Sequence, residues 1–370
     1  MEENNMKTVA VVGTVGVPAC YGGFESLVQN LIDYQSDGIQ YQIFCSSKKY
    51  NKKLKNYKNA ELIYLPINAN GVSSIIYDIM CLIICLFKRP DVVLILGVSG
   101  CLFLPIYKLF SKSKIIVNID GLEWRRNKWG TFAKKFLKIS EAISIRIADI
   151  IISDNQAIAD YVENKYNKKS VVIAYGGDHA TNLSTPIDDD QKKDGYYLGL
   201  CRIEPENNIE MILNAFINTD KKIKFMGNWD NSEYGRQLKK YYSNYPNITL
   251  LEPNYNIEEL YKLRKNCLAY IHGHSAGGTN PSLVEAMHFN IPIFAFDCDF
   301  NRYTTNNLAH YFNRYTTNNL AHYFNDSEQL TSLADSLSFG NLKCRVLDLK
   351  NYAEDMYNWR HIAAMYESIY

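Results

Sequence analysis

The sequence has few of the features that mark disulfide-rich, fibrous or disordered chains. Its nine cysteines are scattered over 370 residues, form no C-x-x-C pair and lie mostly inside apolar runs. An odd, scattered set of this kind is typical of reduced, buried thiols in a cytoplasmic protein and not of a disulfide framework. With 47% hydrophobic and 21% charged residues, the composition predicts a large buried core and excludes disorder, collagen and coiled coil.

Long hydrophobic runs are also absent. Residues 75–87 are strongly apolar, but this run has only 13 residues, contains Asp78 and stops at Lys88-Arg89-Pro90. Because a membrane span needs about 20 apolar residues, this segment is predicted to be a buried helix or a helix with a membrane-surface face. The first residues run directly into a predicted strand without the basic and apolar regions of a signal peptide, so we expect neither a leader nor a span.

Charge of one sign is not in excess over the whole chain. Forty basic and 39 acidic residues give a net charge of +1, which excludes a polyanion-binding role for the entire surface. Residues 1–180 carry 22 basic and 16 acidic residues, whereas residues 181–370 carry 18 and 23, so two surfaces with different partners are predicted.

A basic run in the first half consists of Lys48, Lys49, Lys52, Lys53, Lys55 and Lys58, with Tyr50 and Tyr57 between them. Such a run is typical of a solvated loop. Beside the apolar segment 75–87, contact with anionic lipid headgroups is the alternative. No nucleic-acid-binding module accompanies the run, so nucleic acid is not an expected partner.

Strand-like and helix-like stretches alternate from one end of the sequence to the other, which predicts an α/β protein with parallel sheets covered by helices. The polar segment 180–195 is the predicted linker between two domains, residues 1–180 and 181–350. Residues 351–370 are predicted to form an amphipathic helix that packs back on the N-terminal domain. The predicted strands are 8–12, 40–45, 62–65, 92–96, 114–118, 150–153, 171–174, 196–200, 222–226, 248–251, 268–271 and 291–295.

The twelve-residue segment NRYTTNNLAHYF occurs twice in direct tandem, at 301–312 and 313–324. Two copies are too few for a solenoid, and two identical segments cannot occupy one place in a fold. We therefore expect one copy to be a surface insertion, which the weak dependence of loop entropy on length tolerates. A recent duplication or an assembly error explains the repeat better than a functional role does.

A glycine-rich turn, GTVGVPACYGGFE at 13–25, joins the first predicted strand to the first helix. Glycines there let backbone N–H groups approach an anion near a helix N-terminus. The spacing does not match the G-x-G-x-x-G dinucleotide fingerprint, and no lysine follows the glycines as in a Walker A loop. Gly22 and Gly23 are predicted to contact a phosphate or sugar, with a plain strand-to-helix turn as the alternative.

Segments of the second predicted domain favour a nucleotide diphosphate as ligand. Arg202 follows a predicted strand, where its guanidinium can pair with phosphate. The segment IHGHSAGGTNPSLVEAM at 271–287 runs from a strand through glycines into a helix. Glu285 lies one turn inside that helix, where a carboxylate can accept hydrogen bonds from ribose hydroxyls. The predicted diphosphate contacts are free N–H groups of Ser282, Leu283 and Val284.

These motifs together resemble the GT-B glycosyltransferases of family 4, which have a Gly-Gly loop, an arginine after the first strand of the second domain and a glycine-rich E-x7-E segment. More narrowly, the chain resembles the bacterial rhamnosyltransferase-like branch that builds capsule and O-antigen polysaccharides. The resemblance spans nearly the whole chain and is carried by GTVGVPACYGGFE, NIDGLEWRRNKW, CRIEPENN, HGHSAGGTNPSLVEAM and FDCDFNRYTTNN. It implies the GT-B fold, with two facing Rossmann-like domains and a cleft between them.

The resemblance also implies an activity. This would be retaining transfer of a sugar from a nucleotide sugar, with dTDP-rhamnose as the favoured donor, to a lipid-linked saccharide acceptor. The protein would be peripheral on the inner face of the bacterial cytoplasmic membrane and would need no cofactor or metal ion. The predicted catalytic residues are Arg202 and Glu285, together with Asp120, which is argued below from its place after a strand. The implied donor-binding residues are Gly22, Gly23, Arg202, Asn207, Gly277, Gly278, Thr279, Asn280, Ser282, Leu283, Val284 and Glu285.

The chain departs from the family pattern at two places. The first glutamate of the E-x7-E pattern would fall at position 277, which is Gly277. Backbone groups of Gly277, Gly278 and Thr279 would then have to hold the sugar hydroxyls. The basic residue that often follows the arginine in this family is also missing, and Glu206 and Asn207 stand near its place.

The segment NIDGLEWRR at 118–126 supplies the candidate acceptor contacts. Asp120 is the better candidate, ahead of Glu123, for orienting an acceptor hydroxyl or stabilising oxocarbenium-like charge. A structural cap is the alternative for Asp120. Glu123, Arg125 and Arg126 are the predicted acceptor-binding residues, the arginines through a pyrophosphate, with Lys128 as a further candidate.

Asp297-Cys298-Asp299 has the D-x-D spacing of a divalent-cation site, but Arg202 and the helix start already supply positive charge, so no metal is expected. His272 and His274 lack the neighbours that complete a metal-ligand set and are predicted to be polar contacts near the sugar. Two other functions remain open: a nucleotide-sugar epimerase of GT-B fold, and a non-catalytic nucleotide-sugar-binding partner of a polysaccharide assembly complex.

Overall fold

The computed structural model describes residues 6–20, 22–125, 129–182, 195–312, 327–335 and 339–370. The chain divides into two compact units, one of Met1–Ala174 with Trp359–Tyr370 and the other of Tyr175–Asn358. The boundaries therefore fall at 174 and 358, compared with 180 and 350 in the sequence-based expectation.

Strands and helices alternate through the first 172 residues. The strands are β1 (Lys7–Val12), β2 (Ile39–Ser46), β3 (Asn56–Tyr57), β4 (Ala60–Leu65), β5 (Val92–Leu96), β6 (Lys114–Asn118), β7 (Ile150–Ser153) and β8 (Val171–Val172). The helices are α1 (Gly23–Asp33), α2 (Ser73–Lys88), α3 (Leu104–Phe110), α4 (Thr131–Ile147) and α5 (Gln156–Tyr166).

The same alternation continues after residue 195 and ends in helices. The strands are β9 (Tyr196–Leu200), β10 (Lys222–Met226), β11 (Ile248–Leu251), β12 (Ala269–His272), β13 (Ile293–Phe296) and β14 (His310–Phe312). The helices are α6 (Ile209–Asn214), α7 (Glu233–Tyr242), α8 (Ile257–Lys265), α9 (Pro281–Met287), α10 (Asp299–Thr304), α11 (Ser327–Asp335), α12 (Phe339–Met356) and α13 (Trp359–Ser368).

The first unit is built on an eight-stranded sheet in the order β3-β4-β2-β1-β5-β6-β7-β8. Every neighbouring pair in it is parallel except β3 and β4. Its central strand β5 reads VVLIL and is buried along its whole length. Continuous apolar strands of this kind form when helices cover both faces of a parallel sheet, which explains the absence of a polar alternation here.

The second unit is built on a six-stranded, wholly parallel sheet in the order β11-β10-β9-β12-β13-β14. Its core includes Tyr197, Phe225 and Trp229, all at most 2% exposed. Each of the twelve predicted strands overlaps a strand of the structure, so the α/β class with parallel sheets is confirmed. Two strands of the structure, β3 and β14, were not predicted, because they have too few residues to show a periodic pattern.

The single helix predicted over 351–370 is wrong, because α12 ends at Met356 and α13 starts at Trp359. The carbonyl of Tyr357 accepts hydrogen bonds from the N–H of Gly177 at 2.7 Å and from Nε2 of His288 at 3.2 Å. That carbonyl is therefore used by another segment and not by a continuing helix.

Helix α13 belongs to the first unit. The hydroxyl of Tyr366 accepts from Nδ2 of Asn118 at 3.1 Å, and Tyr370 shares a hydrogen bond of 3.1 Å with Tyr41. Both contacts reach the interior of that unit, since the three tyrosines and Asn118 are buried. No helix in the described part of the chain is long and apolar enough to cross a membrane.

The first copy of the tandem repeat is part of the second unit. It contributes the end of α10 and the edge strand β14, which pairs with β13. The second copy, 313–324, lies outside the described residues, as does most of the predicted linker 180–195. The expectation that one copy is a surface insertion therefore stays a prediction.

Candidate functional site

The candidate site in the second unit lies at the carboxyl ends of its central strands. Because β9, β12 and β13 run parallel and adjacent, the segments that follow them meet at one edge of the sheet. These segments contain Arg202, the loop 273–280 and Asp297. This edge is where α/β sheets bind their ligands, and the polar side chains predicted for the donor are concentrated there.

Arg202 stands two residues beyond β9 with its side chain 56% exposed. Its nearest carboxylate oxygen is that of Glu204, 3.8 Å from Nη2, too far for a hydrogen bond. The guanidinium is thus presented to solvent, and among the described residues its ion pair is the loose one with Glu204. An exposed fork of this kind can take up a diphosphate in a bidentate arrangement.

Buried Asn207 connects Arg202 to the glycine loop through two hydrogen bonds. Its Nδ2 donates to the carbonyl of Arg202 at 2.7 Å, and its Oδ1 lies 2.7 Å from Nδ1 of His274. Because the amide oxygen can only accept, Nδ1 of His274 carries the proton and Nε2 is the acceptor when the ring is neutral. Asn207 therefore has a positioning role here, and its predicted contact with the donor stays a prediction.

The conformation at Gly277 requires glycine. Its φ is +143°, and a Cβ added there would lie 2.6 Å from Nε2 of His274. A glutamate at this position would combine backbone strain with a steric clash, which explains why the E-x7-E pattern is broken here. Gly278 and Thr279 are buried beside it; their predicted backbone contacts with sugar hydroxyls stay a prediction.

The start of α9 differs from the expectation. The side-chain oxygen of Asn280 accepts a hydrogen bond from the N–H of Ser282 at 3.0 Å. The backbone carbonyl of Asn280 accepts from the N–H groups of Leu283 at 3.1 Å and Val284 at 3.2 Å. The prediction that these three N–H groups are free is therefore wrong. Asn280 caps the helix with both its side chain and its backbone, as asparagine does at helix N-termini.

Glu285 is held by two basic side chains from other elements. Arg264, buried at the end of α8, donates through Nη2 to Oε2, and Nε2 of His179 lies 3.3 Å from Oε1. Burial alone would raise the pKa of Glu285, but Arg264, His179 and His288 outweigh it and hold the pKa below the ordinary value. Glu285 is therefore a fixed carboxylate at neutral pH, and its predicted contact with a ribose stays a prediction.

The D-x-D segment has a different geometry from a cation site. The side chain of Asp297 is 3% exposed and receives a bidentate ion pair from Arg302, with Nη2 2.8 Å from Oδ2. Asp299 is the first residue of α10. Among the described residues, no group of three or more His, Cys, Asp or Glu side chains is placed to hold a metal ion.

A second candidate region lies in the first unit, in the glycine turn between β1 and α1. The buried carboxylate of Glu25 accepts from the N–H groups of Val15 at 2.7 Å and Gly22 at 2.8 Å, and from the hydroxyl of Thr14 at 3.0 Å. Gly22 is the N-cap of α1 and Gly23 its first residue. One carboxylate therefore fixes both ends of the turn.

The predicted acceptor segment follows β6 in the same unit. Asp120 has φ = +60° and Leu122 has φ = +56°, an unusual conformation for non-glycine residues that costs on the order of 1–3 kcal/mol. The N–H of Asp120 donates to Oδ1 of buried Asn118 at 3.0 Å. The strain is thus maintained by the surrounding structure, which holds Asp120 at a defined position after the strand.

Glu123 and Arg125 lie in a short 3-10 turn, Glu123–Arg125. Nε1 of Trp129 donates to Glu123 at 3.1 Å, and the exposed guanidinium of Arg125 lies 5.3 Å from the ring centroid of Trp124. Such stacking restricts the arginine without neutralising it. Arg126 and Lys128, the other predicted acceptor contacts, lie outside the described residues.

Several residues of these regions were missed by the sequence-based interpretation. Arg264 and His179 lie 21 and 106 positions from Glu285 and no motif connects them to it. Glu25 carried a detectable signal, because a glutamate three residues after the helix N-cap is the capping-box position.

Comparisons with known proteins bear on the fold. Residues 6–178 match a family model described as "Domain of unknown function (DUF1972)". No curated protein sequence matches the chain significantly. Solved structures of similar architecture include a sucrose-phosphate synthase from Thermosynechococcus elongatus, with 13% sequence identity, 98% of each chain covered and a TM-score of 0.76.

Two further solved structures extend the comparison. HepE from Anabaena in complex with UDP has 11% identity and a TM-score of 0.71, with 98% of this chain and 99% of that one covered. Starch synthase IV from Arabidopsis thaliana, bound to ADP and acarbose, has 11% identity and a TM-score of 0.69, with 99% and 98% covered. The chain thus has the fold of the GT-B glycosyltransferases over nearly its whole length; at such low identity the likeness shows the fold and not the activity.

Proposed function

We propose that the protein is a retaining glycosyltransferase that takes its sugar from a nucleotide-sugar donor. The observation that carries the proposal is the arrangement at the carboxyl edge of the second sheet. There the exposed guanidinium of Arg202, the glycine loop 273–280 and the fixed carboxylate of Glu285 occur on neighbouring segments. Two of the similar solved structures are complexes with UDP or with ADP, which supports a nucleotide-linked donor.

The charges of this edge suit a nucleoside diphosphate sugar. Arg202 offers a cation to the diphosphate, while Glu285 is kept ionised by Arg264 and His179 and can accept hydrogen bonds from hydroxyl groups. Glycine at position 277 lets the ring of His274 pack closely against the loop, and backbone groups of Gly278 and Thr279 are the proposed contacts with sugar hydroxyls. A cation for phosphate and an acceptor for hydroxyls are the two requirements of such a ligand.

We further propose L-rhamnose from dTDP-rhamnose as the transferred sugar and a lipid-linked saccharide as acceptor, in the synthesis of a bacterial surface polysaccharide such as capsule or O-antigen. This part rests on the resemblance of the five sequence motifs to the rhamnosyltransferase-like branch. The protein would then work at the inner surface of the cytoplasmic membrane. Arg125 and Arg126 would contact the acceptor pyrophosphate, and Glu123 would line the same segment.

In the proposed reaction, the bond between the anomeric carbon and the diphosphate oxygen breaks and a bond from that carbon to the acceptor oxygen forms on the same face. The acceptor proton passes to the leaving diphosphate, so no protein base is required. Asp120 orients the acceptor hydroxyl, and Arg202 stabilises the charge that develops on the leaving group. No metal or other cofactor takes part, which predicts unchanged turnover in the presence of a chelator.

The test is a donor panel with and without acceptor. The purified full-length chain is incubated with dTDP-rhamnose, UDP-glucose and ADP-glucose, and nucleotide release is measured in the presence and absence of a lipid-linked saccharide. Acceptor-dependent release supports the transferase. Conversion of the donor without acceptor would identify an epimerase instead, and binding without turnover would identify a non-catalytic partner.

Two variants test the site. Arg202→Ala and Glu285→Gln are each expected to lower transfer by about 10²-fold or more, in line with the loss of one charged contact in a reacting complex. Arg236→Ala is the matched control, because Arg236 is similarly exposed and, in the part of the chain that the structure describes, pairs with neighbouring residues of α7 and the turn before it. Equal activity of all three variants would overturn the site assignment.

A further inference from the structure

The first unit has a concentration of exposed apolar side chains on three helices. Of the 17 large hydrophobic residues that are exposed in the described part of the chain, nine lie on or next to α2, α3 and α4. These nine, here called the α2–α4 face, are Val72, Ile76, Met80, Phe87, Ile106, Leu109, Phe110, Phe132 and Ile139. Helix α3 packs against both α2 and α4, so the three helices form one continuous region.

The outward side of α2 is apolar along its whole length. Val72, Ile76, Met80 and Phe87 recur at spacings that place them on one side of a helix, and each is exposed. The opposite side is buried in the core through Tyr77, Cys81, Leu82 and Cys85. A helix that is apolar on both sides is unusual at a water-exposed surface, because one of its sides normally carries polar residues.

Helix α3 adds two highly exposed apolar side chains to this region. Leu109 is 79% and Phe110 is 74% exposed. They stand at the end of a short helix whose buried residues are Leu104 and Tyr107. On the adjacent α4, Phe132 is 86% exposed. Two phenylalanines and a leucine that project this far from the surface contribute little to the unit's own core.

The exposed charges on the three helices of the α2–α4 face are basic, while Lys88 and Lys108 pair with Glu61 and Asp149 of neighbouring segments. The only acidic residues within α2, α3 and α4 are Asp78 and Glu141, and both are buried, at 3% and 1% exposure. Basic residues on these helices and immediately after them are Lys88, Arg89, Lys108, Lys112, Lys134, Lys135, Lys138 and Arg146. An apolar region with basic and no exposed acidic side chains on its helices is complementary to an anionic, partly apolar surface.

From this combination we propose that the α2–α4 face docks on the surface of an anionic lipid bilayer. The projecting side chains of Leu109, Phe110 and Phe132 enter the boundary between headgroups and acyl chains. The surrounding lysines contact anionic headgroups, at about 1 kcal/mol for each residue near the surface. This inference rests on the membrane location in the proposed function and names the surface that would reach the membrane, whereas docking itself requires neither donor nor acceptor.

A second copy of the chain is a poorer occupant of the same face. A two-fold dimer would bring each basic region against its own copy, so the lysines would repel one another. The basic run at 48–58, for which lipid contact was the alternative, is not needed for this surface.

The test is co-sedimentation of the full-length chain with lipid vesicles. Vesicles of phosphatidylcholine with about 30 mol% phosphatidylglycerol are compared with vesicles of phosphatidylcholine alone, with no nucleotide sugar present. Binding is expected to the anionic vesicles and to fall at least about tenfold in 0.5 M salt, because screening weakens the headgroup contacts. Binding of equal strength to both vesicle types would overturn the electrostatic part of the proposal.

Two double variants and a matched control locate the surface. Leu109→Ser with Phe110→Ser, and Lys112→Glu with Lys135→Glu, are each expected to reduce vesicle binding at least about tenfold. Tyr255→Ser with Ile257→Ser is the control, since Tyr255 and Ile257 are exposed apolar residues of the second unit. Thermal unfolding of each variant shows that it is folded.

The outcomes separate the possible occupants. Vesicle binding that all variants retain would overturn the assignment of the face. Concentration-dependent dimerisation without lipid, abolished by the serine double variant, would assign the face to a second copy and also overturn it. Vesicle binding by a protein that shows no transfer with any donor would support docking while contradicting the proposed reaction, so the two failures are distinguishable.

Discussion

The carboxylate of Glu25 accepts a hydrogen bond from the backbone N–H of Val15, ten residues earlier in the chain, at 2.7 Å. The same side chain accepts from the N–H of Gly22 and the hydroxyl of Thr14. Three hydrogen-bond donors stabilise this buried carboxylate and satisfy its oxygens. The glycine turn of the first unit therefore has a fixed shape, although glycines would otherwise leave it mobile.

Substituting Glu25 should test this closure of the turn. Glu25→Ala leaves two N–H groups and one hydroxyl without their acceptor in a buried region, so we expect the free energy of unfolding to fall by about 2–4 kcal/mol. Urea denaturation followed by circular dichroism measures the change. Glu258→Ala, in the exposed first turn of α8, should change the free energy of unfolding by no more than about 0.5 kcal/mol. Equal losses in both variants would contradict the conclusion that the hydrogen bonds of Glu25 stabilise the turn.

Only one of the hydrogen bonds of Glu25 could be predicted from the sequence. Its place three residues after the N-cap Gly22 fits the capping box, and this local signal predicts one of its hydrogen bonds. The contacts with Thr14 and Val15 depend on how the turn folds back over α1, and the sequence has no periodic feature that encodes this. Local hydrogen bonds follow from spacing, whereas contacts across a turn follow from tertiary packing.

The strands illustrate the same division. Apolar runs such as those of β5 and β12 were predicted within one residue because burial on both sheet faces imposes a continuous apolar sequence. Helix α3 was not predicted, since its seven residues are too few for a helical period and Leu109 and Phe110 face outward. At the start of α9, Asn280 was predicted to contact the donor and the next N–H groups were predicted to be free. In the structure, Asn280 accepts hydrogen bonds from these N–H groups and caps the helix.

Gly277 should resist any substitution that adds a side chain. Gly277→Ala would place a Cβ 2.6 Å from Nε2 of His274 at φ = +143°, and we expect a loss of more than about 2 kcal/mol in the free energy of unfolding. Gly71→Ala is the control, because Gly71 also has a positive φ, +69°, but open space around it. Its loss should stay near 1–2 kcal/mol.

The same position tests the broken E-x7-E pattern. Gly277→Glu would restore the family pattern in sequence, but the clash with His274 predicts lower nucleotide-sugar binding and not higher. Binding is measured by isothermal titration calorimetry with a donor that the wild-type chain binds. Tighter binding by the glutamate variant would show that the loop can rearrange to accept the side chain.

Asp78 should destabilise the fold at neutral pH. Burial raises the pKa of this carboxyl well above its ordinary range, and the N–H of Gly100 only partly opposes the effect. The folded chain therefore keeps a proton that the unfolded chain releases above about pH 4, so stability is present below that pH and declines as the pH rises toward the folded pKa. Asp78→Asn should raise the free energy of unfolding by more than about 1 kcal/mol at pH 8 and change it little at pH 4.

Asp91 is a control for Asp78, because the pKa of its carboxyl is shifted in the opposite direction. The hydrogen bonds from the N–H and hydroxyl of Thr8 hold the pKa of Asp91 below its ordinary value. Its stabilising contribution is therefore present above about pH 4 and lost as the pH falls. Asp91→Asn should lower stability at pH 8, where Asp78→Asn raises it. The same sign for both variants at pH 8 would contradict the assigned charge states.

His272 should make the second unit sensitive to acid. Burial at the end of β12 lowers the pKa of His272 to about 3, and its Nε2 has no hydrogen-bond partner among the described residues. The unfolded chain takes up a proton below about pH 6.5, whereas the folded chain does not. Stability is therefore fully present above that pH and is lost as the pH falls toward 3.

Replacing this ring should reduce the acid sensitivity. His272→Gln is expected to shrink the difference in unfolding free energy between pH 8 and pH 5 by about 2 kcal/mol, the linkage energy of one histidine that protonates only when unfolded. An imidazole NMR signal of His272 that titrates near pH 6.5 in the folded chain would contradict the assignment, because it would show that water reaches the ring at the end of β12.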